Sequence, residues 1–375
     1  MPERQLLLDE TSAAAEFLAE LRSETRIAVD LEADSLHNYR EKICLVQVST
    51  AGATRVLDPL AAPGILSGLV PILSDRSVLK VFHGGDYDVR LLKREGAAAV
   101  SNLFDTMIAA QIAGRARFGL AALLEEEFGV LLDKRYQRAD WSRRPLDPGM
   151  LAYAAADTAH LLALSDRLSE ELVRLGRLGW AEEEFLLLEQ VEPSAPKKPW
   201  CLNVKGAGRL APRQLARLQA LLETREELAA AWNRPPFKVL PSQVLIDWAV
   251  QPPADRRGVA ATPGAGGPLL DRVAGQVLEA LARANALPEG ECPRAEVSRN
   301  APLAPAEERR LARLKGAREA ASRALRIEPG LLVNGATLER LARQDPAEAV
   351  AGLPAALKRW QLEALGDALR CVLEA

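Results

Sequence analysis

The chain has 375 residues, 48% of them apolar and 26% charged, with a formal net charge of −3. That length leaves room for two or three domains with their own cores, and the balance is that of an ordinary globular protein. No run of the sequence approaches the ~20 apolar residues of a membrane span, so a membrane-spanning helix is excluded. The four cysteines (Cys44, Cys201, Cys292 and Cys371) lack CxxC spacing, which suggests neither a disulfide framework nor a zinc site. The opening MPERQLLLDE has no signal-peptide pattern, and a cytoplasmic protein is expected.

In chain order, RIAVDLEA (26–33), ICLVQVST (43–50), TRVLDPL (54–60) and VLKVFHG (78–84) are short and rich in β-branched residues, as strands are. After Phe82 the pattern turns helical: DVRLLKRE, FDTMIAAQIA, LAALLEEEFG and then MLAYAAADTAHLLALSDRLSEEL (150–172). Early strands with interleaved and trailing helices predict a mixed α/β sheet. EPSAPKKPW (192–200) breaks the pattern with three prolines, and everything beyond it reads as helical, interrupted again over 251–268 and 287–305. A gapless shift of 93 positions lays residues 218–249 over 311–342, matching Leu218 with Leu311, Arg225-Glu226 with Arg318-Glu319 and Pro236 with Pro329. The C-terminal part is therefore read as two copies of one small helical module. Its tryptophans, Trp232, Trp248 and Trp360, are read as core residues.

The net charge does not point to nucleic acid, but its distribution is uneven. Lys134–Arg144 carries Lys134, Arg135, Arg138, Arg143 and Arg144 against the single acid Asp140, and Glu307–Arg326 carries seven basic residues against three acidic ones. A solvated helix face is the plain alternative for each run.

Acidic residues in apolar surroundings recur at three places. Asp30 and Glu32 occupy alternate positions of the first strand and so share a face. Asp88 follows Gly84-Gly85 where a strand gives way to a helix, and Asp157 lies in an apolar helix with Tyr153 four residues earlier on the same face. One such acid is commonly a helix cap or an ion-pair partner. As a set they need compensation, because buried carboxylates require partners and the flanking segments offer few basic residues. Hard divalent cations bound through carboxylate oxygens supply it, and a pair of them activates a water against a phosphodiester. The chain has only three histidines, His37, His83 and His160, and none is needed to deprotonate a water acidified by a cation.

DLE on the first strand, HGGDYDVRLL in the middle and YAAAD on a late helix resemble the three motifs of the DEDD exonuclease superfamily, and Tyr153 resembles the tyrosine of its DEDDy branch. FDTMIAA, LDKRYQRADWSRRPL and the tandem modules are similar to ribonuclease D, in which such modules are HRDC domains. The resemblance implies an α/β ribonuclease H-like exonuclease domain over residues 1–192 and a linker over 193–204. An HRDC domain over 205–286, a second linker over 287–304 and an HRDC-like domain over 305–375 complete it. It further implies a 3′–5′ exoribonuclease that uses two divalent metal ions, Mg²⁺ or Mn²⁺ with Zn²⁺ or Co²⁺ as alternatives, and releases nucleoside 5′-monophosphates. Its substrate would be RNA with a free 3′ end, transfer RNA precursors above all, and the enzyme a monomer.

Carried over, Asp30 would bridge both metals, Glu32 and Asp157 would complete the tighter site, and Asp88, preferred to Asp86 by the motif's pattern, would help hold the second. Tyr153 would orient the attacking water, since a phenol with a pKa near ~10 is a poor base at neutral pH. Asp34 is read as a loop residue. Leu31, His37 and Gln47 are candidates to approach the terminal nucleotide, and Trp141, Arg143 and Arg144 to hold the substrate, with Arg143 or Arg144 on a phosphate. Two other readings stand beside this one. A 3′–5′ DNA exonuclease would use the same carboxylates, and a non-catalytic RNA-binding protein would have no need of all five motif residues.

Overall fold

A computed structural model describes residues 6–96, 99–193, 198–262, 268–295 and 302–375, the side chains of 268–272 excepted. Its contacts divide the chain into two units, one made of residues 1–33, 43–193 and 301–375, the other of 34–42 and 194–300. The expected linkers over 193–204 and 287–304 lie partly outside the described residues.

The first unit is built on a six-stranded sheet: β1 (Leu7–Leu8), β2 (Arg26–Ala33), β3 (Ile43–Ser49), β4 (Thr54–Leu57), β5 (Leu79–Phe82) and β6 (Leu103–Asp105), in the order β1-β4-β3-β2-β5-β6. β3 runs antiparallel to both β2 and β4, while β5 is parallel to β2 and to β6. Two of these strands, β1 and β6, are additional to those expected. Helices α1 (Thr11–Leu21), α2 (Ile65–Ser74), α3 (Asp86–Arg94), α4 (Thr106–Ala113), α5 (Leu120–Phe128), α6 (Pro148–Ala159), α7 (Leu161–Arg174) and α8 (Leu178–Glu189) surround the sheet. The single helix expected over 150–172 is two, because the chain turns at His160 between α6 and α7.

Alternation along β2 sorts its side chains by face. Ile27, Val29 and Leu31 enter one apolar cluster with Phe17, Leu18 and Leu69, which leaves Asp30 and Glu32 on the opposite face. That face is covered by α6, and the Ser49 hydroxyl of β3 meets the Thr158 hydroxyl of α6 at 2.7 Å. The strand register shifts between Glu32 and Ala33, so the ladder is interrupted just after the second carboxylate.

The repeat expected from the sequence recurs in the helices and in several of their contacts. In the second unit α9 (Pro212–Trp232), α10 (Pro236–Val239) and α11 (Ser242–Val250) precede α12 (Arg256–Ala260) and α13 (Pro268–Ala286). In the first unit α14 (Pro305–Leu325), α15 (Pro329–Leu332) and α16 (Gly335–Arg343) precede α17 (Pro346–Ala356) and α18 (Arg359–Glu374). Each copy starts with proline at its first helical position and ends its long helix on a left-handed residue, Asn233 or Arg326. Arg217 donates to the Ala249 carbonyl as Arg310 does to Ala342, and Arg225 donates to Leu240 as Arg318 does to Val333.

Copy 1 closes its own core around Leu218, Leu245, Trp248 and Val277. Copy 2 shares a core with the exonuclease helices: Trp360 lies 5.6 Å from Trp180 between ring centroids, and Glu184 accepts from Lys358 Nζ and Trp360 Nε1. Trp248 and Trp360 are fully buried and Trp232 is half-buried against the core, as expected. No described helix is long and apolar enough to cross a membrane.

Candidate active site

Asp30 and Glu32 stand two residues apart on β2, opposite Gln47 and Leu45 of β3. α6 brings the third carboxylate: Pro148 opens it and the Asp147 side chain accepts from the Gly149 N–H. Asp157 follows Tyr153 by one helical turn, on the face turned to β2. Carboxylate oxygens of Asp30, Glu32 and Asp157 all lie within 4.8 Å of one another. Asp88 is not in this trio, but it is buried, and the charge of Asp30 acts on it.

The turn that delivers Asp88 is held from an unexpected place. Gly84, at φ +68°, and Gly85 donate their N–H groups to the two carboxylate oxygens of Asp105 at 3.1 and 2.7 Å. Asp105 also caps α4 through the Met107 and Ile108 N–H groups. Sequence reading missed this residue, although an Asp directly before TMIAA has the form of an N-cap. The two neighbouring acids of the turn differ in their surroundings: Asp88 is buried at 7% exposure, whereas Asp86 pairs with Arg90 at 2.9 Å.

The electrostatics are those of crowded carboxylates. Burial first, and then the charges of Asp30, Asp157 and Asp88, push Glu32 up to about 10. Asp157 is pushed up to about 8 by burial and by Asp30. Burial raises Asp30 and Asp88 as well, each eased by a backbone hydrogen bond. Burial and the same acids raise the Tyr153 phenol, which therefore keeps its proton at neutral pH.

An all-oxygen set of this density fits a hard divalent cation and is costly without one. Beside it opens a cavity of about 540 Å³ lined by Tyr153 and Asp157 together with His83, Arg117, Lys134 and Gln137. None of those last four was among the expected site residues.

The candidates for substrate contact divide. The Leu31 side chain belongs to the core on the far face of the sheet. Gln47 is completely buried, so the expected approach to a nucleotide is replaced by a place within the sheet layer opposite Asp30. Trp141 is buried too, with its ring 6.0 Å from that of Tyr153, and serves as packing behind the tyrosine. Arg144 is turned inward: Nε and Nη2 bond the two Asp58 oxygens at 2.6 and 2.7 Å, and Nη2 also bonds the Cys44 carbonyl. That fork ties the basic loop to β3 and to the end of β4, an anchoring role in place of the expected phosphate contact. Arg143 is well exposed and pairs with Asp140 at 3.2 Å. His37 and Asp34 lie in the 34–42 segment, which groups with the second unit. Asp34 organises that loop by accepting from Lys42 N–H and Asn38 Nδ2.

Residues 7–173 match the family model described as 3′-5′ exonuclease, and residues 214–281 match that of the HRDC domain. A ribonuclease D of Granulibacter bethesdensis is 31% identical over 97% of this chain and 91% of its own length. The chain belongs to the ribonuclease D family. A ribonuclease D of Pseudomonas paraeruginosa is likewise 31% identical, over all of this chain and 98% of the relative. The crystal structure of Escherichia coli RNase D, described as an exoribonuclease involved in structured RNA processing, superposes with a TM-score of 0.76. It is 27% identical and covers 98% of each chain. The catalytic core of RRP6 from Trypanosoma brucei gives 0.66 at 28% identity over 75% of this chain and 80% of that one. As a ribonuclease D with its exonuclease domain in place, the chain is a 3′–5′ exoribonuclease, a hydrolase of RNA that uses divalent metal.

Proposed function

We propose that this ribonuclease D trims transfer RNA precursors from their 3′ ends, one nucleoside 5′-monophosphate at a time, with two divalent cations, Mg²⁺ or Mn²⁺. The observation that carries the reading is the convergence of Asp30, Glu32 and Asp157 within 4.8 Å beside a nucleotide-sized cavity. In this reading Asp30, Glu32 and Asp157, with Asp88 beside them, would hold the cations. Bound there, divalent cations acidify the attacking water and offset charge on the scissile phosphate. Tyr153, protonated at neutral pH, acts through its hydroxyl as a hydrogen-bond partner that orients the water rather than as a base. The water adds to phosphorus, and the bond from phosphorus to the 3′ oxygen of the penultimate nucleotide breaks. The chain left behind carries a new 3′ hydroxyl. Copy 2 of the helical module is read as a second HRDC-like domain, because it repeats the geometry of the copy that matches that family.

The test is an assay of the full chain on a 3′-extended transfer RNA precursor, with and without Mg²⁺ or Mn²⁺, beside Asp30→Asn and with single-stranded DNA in parallel. Mononucleotides released from the RNA by wild type alone, and only with metal, are the expected result. No release with either metal would overturn the mechanism, and faster release from DNA would overturn the substrate.

A further inference from the structure

The polar group of the active-site layer that the mechanism leaves unused is an amide. Gln47 is fully buried in β3, and neither its Nε2 nor its Oε1 has a hydrogen-bond partner among the described residues. A buried amide without partners costs ~1–3 kcal/mol, so the position calls for a reason.

The register supplies one. Gln47 is the direct antiparallel partner of Asp30, and directly paired residues project to the same face with Cβ atoms about 4.5–5.5 Å apart. Two residues on, Ser49 shares that face and bonds Thr158, the neighbour of Asp157 on α6. The amide thus stands in the layer between sheet and helix where the three carboxylates meet, within a side chain's reach of Asp30.

We propose that Gln47 is a positioning residue for Asp30: once a divalent cation is bound, its Nε2–H donates to the Asp30 carboxylate and fixes the orientation in which that carboxylate meets the cation. The inference rests on the metal-dependent reading above. Its chemistry is specific. A carboxylate offers about four lone-pair sites, so a cation and the Leu31 backbone N–H leave room for another donor. Lysine or arginine in the same place would neutralise the cluster and compete with the metal, whereas an amide orients the carboxylate and leaves its charge intact. Partners of this kind, one bond removed from the metal, set ligand geometry and affinity.

The experiment uses the full chain with Gln47→Met, which keeps the volume and removes both polar atoms, and MnCl₂ alone as the probe. Two dependences on Mn²⁺ are measured, the rise in Tm and the rate of hydrolysis at saturating RNA. The expected result is a metal-free Tm equal to or above that of wild type, with the half-saturating Mn²⁺ concentration raised at least about tenfold in both measurements and KM for RNA unchanged. An unchanged Mn²⁺ dependence in the folded variant overturns the proposal, and a lower metal-free Tm with that dependence unchanged assigns Gln47 to structure alone. Should Gln47→Met not fold, Gln47→Asn, which retains an amide one methylene short of Asp30, must show the same Mn²⁺ shift. Wild-type protein that releases no nucleotide would count against the function itself, a result distinct from these.

Discussion

In the helical copies the same buried polar contacts are made twice. Arg217 and Arg310 donate to equivalent carbonyls, and so do Arg225 and Arg318, whose Nε atoms are both without a partner among the described residues. On the α6-facing side of β2, three carboxylates converge within 4.8 Å beside an amide that has no hydrogen-bond partner among the described residues. Apart from that one Nε in each, the copies satisfy the local rules by which a chain reaches one stable fold. The carboxylate layer breaks those rules where the chemistry lies, as functional sites tend to do.

The largest expected effect comes from relieving that violation. Asp30→Asn removes the charge that acts on Asp157, Glu32 and Asp88. Hydrolysis should fall by about a thousandfold or more, several kcal/mol of lost metal-ion stabilisation. Over the same substitution the metal-free protein should melt at an equal or higher temperature. A marked drop in metal-free Tm would mean that the site is an ordinary stabilising network, and the contrast with the copies would be lost.

The next test separates the copies from each other. Trp360 of copy 2 packs on Trp180 of the exonuclease domain, whereas Trp248 closes the separate core of copy 1 and donates to Thr262. Truncating either to alanine should cost ~3–5 kcal/mol. By calorimetry, Trp360→Ala should lower the transition at which hydrolysis is lost, and Trp248→Ala should lower a different one. If both shift a single transition equally, the two cores melt as one.

How much of this was legible follows the same division. β2 was readable to the residue, since Ile27, Val29 and Leu31 alternate with Asp30 and Glu32, and the 93-residue repeat was readable because Pro236 and Pro329 keep one place among matched leucines. β1 and β6 were not, since two and three residues are too short to show a period of two. The break at His160 was hidden by apolar residues continuing on both sides. Asp30, Glu32 and Asp157, which the fold brings together, stood out in the sequence as acids in apolar surroundings within motifs that resemble those of the DEDD exonucleases. The inward turn of Arg144 could not, because its partner Asp58 is 86 residues away and sequence gives a charge without its direction. For the same reason nothing in copy 2 announced that its core would join the exonuclease helices.

A smaller effect is expected from pH without metal. The raised carboxyls hold protons in the folded state that the unfolded chain has already released near pH 4, so the folded state binds more protons above that pH. Their contribution to stability is present at low pH and lost as pH rises through about 8 for Asp157 and about 10 for Glu32. The metal-free Tm should therefore fall between pH 5 and pH 9 on the order of a few degrees, by way of these groups. Saturating Mg²⁺ should flatten the slope, and Glu32→Gln should reduce it. A slope that neither change affects would place the proton uptake elsewhere.

The smallest effect is the most selective, because it probes one carboxylate that obeys the rules. Glu184 is 11% exposed and accepts from Lys358 Nζ at 2.6 and 2.7 Å and from Trp360 Nε1 at 2.6 Å, joining copy 2 to α8. Glu184→Gln removes the charge but keeps an acceptor for the indole N–H. Lys358 is more than a third exposed, so water replaces much of what it loses, and the cost should be about 1 kcal/mol or less. Glu184→Ala also strands the buried Trp360 N–H and should cost ~2 kcal/mol more. If the two variants melt together, the indole bond contributes nothing, and copy 2 is held to α8 by apolar contact and by Glu183, which accepts from the Arg359 and Trp360 N–H groups. If the alanine variant is clearly the weaker, the carboxylate acts through the donor it satisfies. That is the reverse of Asp30, where removing the charge should leave the metal-free fold no less stable.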